Sequence, residues 1–432
     1  MFPRTLKALV GVALCSVLLT ALAARAQQEP PREVLIRNAR VMTVTHGTIP
    51  NGSILIRNGK IAAVGANVTA PASATIIDAA GKTITPGIID SHSHTALRDD
   101  VNEWTSPVVP HMQMVDAFDY TDKGIYRALA GGVTSALLLH GSADMIGGES
   151  VMIKTKFGLG RDQLLFPNAP RIIKFASGEN PKRVFGDRGQ MPSTRMGNFA
   201  VMREALQQAR EYIREQDDYE VKVKRGEKDA TPPKRDLKME ALADVLRGKM
   251  IVHAHVYRAD EFLTEIAIAK EFGYKLRAFV HALEAYKVPE QIAAARVGVT
   301  TFADWWGYKH EAWDAIPWNA TMLMRKGVVT AIDSDSDDFI RRLNQEAAKL
   351  VRYGGISQEE ALKTVTLNAA WTMGIEDRVG SIDVGKDADL VIWDGDPISV
   401  YGIPNKVLID GVVFFDRTLP GLGTTFYKEG QW

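Results

Sequence analysis

The chain has 432 residues, 46% hydrophobic and 24% charged, with 52 basic side chains against 52 acidic ones. That composition excludes collagen-like, disordered and polytopic membrane chains, and the length suits one large α/β domain with a smaller companion. Zero net charge argues against an electrostatic nucleic-acid binder, and a single cysteine, Cys15, removes thiolate zinc sites, disulfide frameworks and a cysteine nucleophile together.

Residues 1–26 read as a signal peptide. Arg4 and Lys7 give a positive start, Ala8 to Ala23 is nearly all apolar, and Ala24-Arg25-Ala26 offers a small-x-small cleavage site. The expectation is cleavage after Ala26 and a secreted or periplasmic, cysteine-free chain. From 33 to 86 short β-type runs alternate with turns, and Asn58-Gly59 between two apolar runs predicts a hairpin. The segment 376–432 reads the same way, around Asp389–Trp393 and Val407–Phe415. Both ends are therefore expected to build one small β domain.

Between them, residues 87–375 repeat a strand, loop, helix pattern, as a (β/α)8 barrel of ~250 residues or more does. An open doubly wound sheet would read similarly. Met202, Leu206, Ala209 and Ile213 share one helical face, whereas the mixed charges and two prolines of 217–240 predict a solvated insertion.

The chemistry concentrates at strand ends. Ile88-Ile89-Asp90-Ser91-His92-Ser93-His94 closes an apolar run with two histidines at i and i+2, which project to one side of a strand. Val252-His253-Ala254-His255 and Val280-His281 repeat the pattern, so five of nine histidines end predicted strands of one candidate barrel. Barrel sites form where such ends meet, and imidazole with carboxylate suits zinc and other divalent transition metals. Ile332-Asp333-Ser334-Asp335 ends a further run; Asp335 fits either a ligand or a helix cap, and Asp333 is expected to face the other way. His140 ends a strand too and reads as structural. The aromatic run Trp305-Trp306-Gly307-Tyr308 follows the expected seventh strand and offers either a substrate wall or a packed rim. Rival signatures fail: Ile76 stands where a phosphate loop ending Gly81-Lys82-Thr83 needs glycine, and no Gly-x-Ser-x-Gly elbow occurs.

These segments, together with Gly178-Glu179-Asn180-Pro181-Lys182-Arg183 and Val379-Gly380-Ser381 through Asp389-Leu390-Val391, resemble the amidohydrolase superfamily, in its exported, imidazolonepropionase- and prolidase-like branch. The resemblance implies a distorted (β/α)8 TIM barrel and a small β-sandwich built from both chain ends. It implies metal ligation by His92, His94, His253, His281 and Asp335, with Asp335 also the catalytic base. Lys174, carbamylated, would bridge two ions, in preference to Glu179. His255, Glu179, Trp305, Trp306 and Tyr308 would contact substrate. The implied cofactor is one or two divalent ions, zinc first, and the implied reaction is hydrolysis of an amide or cyclic amide. An Xaa-Pro dipeptidase-type peptidase or a non-catalytic binder on the same barrel are the alternatives. The expected partner is a small molecule, with no nucleic acid and, after leader removal, no membrane; self-association stays open.

Overall fold

A computed structural model of the chain describes residues 33–98 and 101–419. The expected leader, with Cys15, lies outside them. The first five strands are β1 (Glu33–Met42), β2 (Thr48–Arg57), β3 (Lys60–Gly65), β4 (Thr75–Asp78) and β5 (Thr83–Pro86). Asn58 and Gly59 join β2 to β3 at φ 51° and 77°, the backbone a tight hairpin of this hand requires.

The central strands are β6 (Ile88–Ser93), β7 (Val133–Leu138), β8 (Ile146–Glu149), β9 (Val151–Lys154), β10 (Arg171–Ala176), β11 (Met250–Val256), β12 (Leu276–His281), β13 (Gly298–Thr301) and β14 (Thr330–Ile332). The last three are β15 (Leu390–Asp394), β16 (Ile403–Ile409) and β17 (Val412–Asp416).

Strands β1 to β5 and β15 to β17 join in one eight-stranded sheet from both ends of the described chain. The sheet forks at β1, whose first half pairs with β4 and whose second half pairs with β5. All eight strands thus share one hydrogen-bonded network.

The central strands make a TIM-barrel-like α/β fold. Strands β10 to β14 run parallel in register, and β6 pairs parallel with β7. The link between these groups departs from the all-parallel expectation. Strands β8 and β9, separated only by Ser150, pair antiparallel with β10 and β7 respectively. The helix that would reverse the chain before them is missing: only the loop 139–145 follows β7, so the chain turns straight back along its neighbour.

No strand pairing joins β14 to β6. They are linked past the end of β14, where the Asp335 amide donates to the His92 carbonyl of β6 at 3.0 Å and Ser334 Oγ donates to Asp90 Oδ2 at 2.5 Å. The central strands are buried almost throughout, as strands covered on both faces must be.

The helix Arg195–Lys224 packs Phe199, Met202, Leu206 and Ala209 inward, with Ile213 half-buried. Its exposed end carries the first charges of the predicted insertion, from Asp217 to Lys224. The terminal sheet is tied to the barrel by fully buried Lys154, whose ammonium lies 2.9 Å from Asp387, 3.1 Å from Asp389 and also against Asp410. Several acceptors around one cation make this buried charge tolerable.

Candidate metal centre

Strand β6 delivers His92 and His94 to the mouth of the barrel, because residues two apart share a face. Strand β12 ends in His281, and the loop after β14 supplies Asp335. His92 Nε2 lies 3.3 Å and His94 Nε2 3.1 Å from Asp335 Oδ1, and His281 Nδ1 lies 3.8 Å from Oδ2. One ligating atom each from His92, His281 and Asp335 falls within 4.8 Å of the others. His281 and Asp335 hold φ of 67° and 45°, conformations that cost about 1–3 kcal/mol for residues other than glycine. Asp335 keeps its angle through the amide bond to His92, so the two ends of the site position one another.

The electrostatics favour neutral imidazoles around a charged carboxylate. Burial pushes His92 and His255 well below the ordinary histidine range and takes His281 down to about 3. Burial alone would raise Asp335, but His281 and then His94 hold it at about 2. Lys174 is fully buried, 3.4 Å from His92 Nε2 and 3.4 Å from the His140 carbonyl. Burial lowers its ammonium to about 8 against the pull of Asp335 and Asp333.

Strand β11 separates its two histidines. The His255 ring packs 4.4 Å from that of His281; its Nδ1 bonds Ser142 Oγ at 2.8 Å, and its Nε2 is buried with no partner. His253 lies one pleat lower, where its Nε2 donates to the Thr372 carbonyl at 2.9 Å. That level belongs to the closed end of the barrel: Arg277, at the start of β12, caps the neighbouring Trp371 carbonyl. The structure therefore packs His255 against His281, which meets His92 and His94 at Asp335, and leaves His253 below them.

Asp333 sits behind His92, with Oδ2 2.8 Å from Thr300 Oγ1 and 3.8 Å from His92 Nδ1, whereas Asp335 meets the opposite nitrogen of the same ring.

The aromatic run divides. Trp305 stacks on Phe302 at 4.3 Å, and Phe302 packs 5.2 Å from His281. The Tyr308 hydroxyl donates to that of Tyr257 at 3.2 Å, whereas Trp306 is 56% exposed and turned outward. Glu179 is half-buried, with Oε1 unpartnered, and its amide donates to Glu311 Oε2 at 2.8 Å. Gly178 before it sits at φ 86°, where a Cβ would come within 2.6 Å of Glu311 Oε2. His140 is buried, 3.6 Å from Asp144.

Sequence reasoning gave no role to Tyr257, whose ring lies 4.5 Å from that of His255 and 5.3 Å from that of His281. Its position two residues past His255 on the same face was the available signal. Ser142 was missed as well, and no motif marks it.

The amidohydrolase family profile matches residues 83–414. The chain belongs to that family and is a hydrolase of carbon–nitrogen bonds. It is 37% identical over 395 residues to the amidohydrolase tasK of Hapsidospora irregularis, covering 84% of this chain but only 40% of that longer protein. An imidazolonepropionase of Mesorhizobium japonicum is 25% identical over 83% of this chain and 91% of its own length. A solved amidohydrolase of Thermotoga maritima superposes with a TM-score of 0.82 at 37% identity, over 89% of this chain and all of the other.

Proposed function

We propose that this amidohydrolase opens an amide or cyclic amide with water activated at a divalent metal centre. The observation that carries the reading is the convergence of His92, His94 and His281 around Asp335, with the His255 ring packed 4.4 Å from that of His281. The donor set fits a metal: buried nitrogens of His255 and His281 have no partner within the protein, an arrangement costly unless a ligand completes it. Neutral imidazole with one carboxylate is zinc chemistry in particular. We assign the strand β11 position in this set to His255 rather than His253.

A metal bound there supplies a water of pKa near ~7 and polarises the substrate carbonyl. The protein does the remaining work. Asp335 accepts the proton of the attacking water as its oxygen adds to the carbonyl carbon. It returns that proton to the departing nitrogen as the carbon–nitrogen bond breaks. Ser142 fixes the ring of His255, and Tyr257, Phe302 and Trp305 shield the site from bulk solvent. Export through the leader of residues 1–26 is part of the same proposal.

Protein purified without added metal is expected to contain at least about half an equivalent of a divalent transition metal per chain. Chelation should abolish hydrolysis of N-acyl amino acids, dipeptides and cyclic amides, and zinc should restore it. Metal-free protein with undiminished turnover would refute the reading.

Lys174 is proposed as the carbamylated bridge to a second ion. It is buried, aimed at His92, and its amine loses its proton readily, as capture of carbon dioxide requires. Lys174→Ala should reduce the metal content toward one ion or none, with partial recovery of activity on adding a short carboxylic acid. An unchanged metal count would shift the bridge to Glu179 or leave a mononuclear site.

A further inference from the structure

Lys309 stands in the loop that carries the aromatic wall, and nothing above uses it. Its ammonium lies 4.5 Å from the Tyr257 ring centroid and 5.4 Å from that of Tyr308. Tyr257 in turn touches the rings of both His255 and His281, so a single aromatic ring separates this cation from the metal centre. The side chain is held in place: Nζ donates to Asn180 Oδ1 at 3.1 Å, in the helix Glu179–Gly186 whose first residue is Glu179. Yet no carboxylate lies within ion-pair distance of it among the described residues. A lysine ammonium has three donors, and only one is used among the described residues. Faces of two tyrosines stabilise such a cation without neutralising it.

We infer that Lys309 anchors a carboxylate of the substrate, so that the amide hydrolysed here bears a free carboxyl group close to the scissile bond. This rests on the metal-hydrolase reading above and narrows it. An N-acyl amino acid or a dipeptide C-terminus has the required form: a carbonyl to place at the centre, and an anion one residue away to reach past Tyr257. Glu179, with Oε1 unpartnered beside this position, is left to accept an N–H of the same molecule. Burial lowers the Lys309 ammonium while Glu179 and Asp335 work to keep it charged, so the site is tuned by its neighbours rather than by an ion pair. The guanidinium of Arg183 adds positive field on the same side.

The test pairs each of a panel of N-acetyl-L-amino acids with its C-terminal carboxamide, measured on the metal-loaded enzyme by turnover and by calorimetric binding. The acid is expected to be favoured about 10- to 100-fold in kcat/KM, the range for a hydrogen bond to a charged group. Lys309→Met should collapse that ratio toward one, mainly through KM, and Lys309→Arg should retain most of it. Equal treatment of acid and carboxamide by the unaltered enzyme, or binding of neither, overturns the inference. So does a Lys309→Met variant that is impaired on both and rescued by Glu179→Gln, because Lys309 would then serve only to balance Glu179. Failure of the metal reading shows differently, as hydrolysis of acid and carboxamide alike that survives chelation.

Discussion

Replacing Asp335 by asparagine should leave the chain folded and lower turnover by ~10²–10⁴-fold, the loss expected when general-base catalysis is removed. Asparagine keeps the shape of the side chain, and the αL backbone at 335 suits Asn as well as Asp. The imidazoles should retain most of the metal, with some decrease because one oxygen ligand is weakened. Asp333→Asn is the informative companion. Asp333 does not touch the space between His94, His281 and Asp335; it sits behind His92 and is held by Thr300. Its loss should act through the orientation of His92 and weaken metal binding by ~10–100-fold, as removal of a residue supporting a ligand does. Steady-state kinetics with metal analysis separates the two. A fully active Asp335→Asn beside a dead Asp333→Asn would exchange the roles assigned here.

The second large effect concerns metal retention. His281→Ala and His255→Ala should each lose metal by more than ~100-fold in affinity, because a ligand contributes more than the groups that orient it. His253→Ala should keep its metal. It forfeits a buried hydrogen bond to the Thr372 carbonyl and leaves a cavity, so the cost should appear as about 1–3 kcal/mol of stability instead. Metal titration and denaturant unfolding distinguish the outcomes. If His253→Ala empties the site while His255→Ala stays loaded, the assignment on β11 is wrong and the lower histidine is the ligand.

Much of this was legible from residue types alone. The pair His92 and His94 is informative because strand geometry puts i and i+2 on one face, and no other chain region can undo that. Asn58-Gly59 is a tight turn because few other residues accept two positive φ angles in succession. The resemblance carried by Ile88 through His94 and by Val379 through Val391 was enough to assign the family.

What stayed hidden is where distance along the chain and distance in space part company. Val252-His253-Ala254-His255 offers two equivalent inward positions, and choosing between them needs the depth of the barrel mouth. That depth is set by Thr372 and Arg277 at the closed end and by Ser142 and His281 at the open one. Strands β8 and β9 drew no assignment from the sequence; that they run against their neighbours depends on the short connection before them. Lys309 is an unremarkable lysine in sequence and becomes a candidate anchor only when Tyr257, from another strand, slides beneath it.

Residue chemistry and local periodicity by themselves determined the donor types and most of the elements, since those depend on side-chain identity and on spacings of two and about four; the class of reaction came from the family resemblance. Tertiary structure decided which donors converge, which carboxylate meets them, and which cation is held by an amide and two rings without an ion pair. Those properties arise only when strands far apart in the chain are brought to a common end, where a shift of one pleat, about 7 Å, moves a ring from the metal centre to the barrel floor.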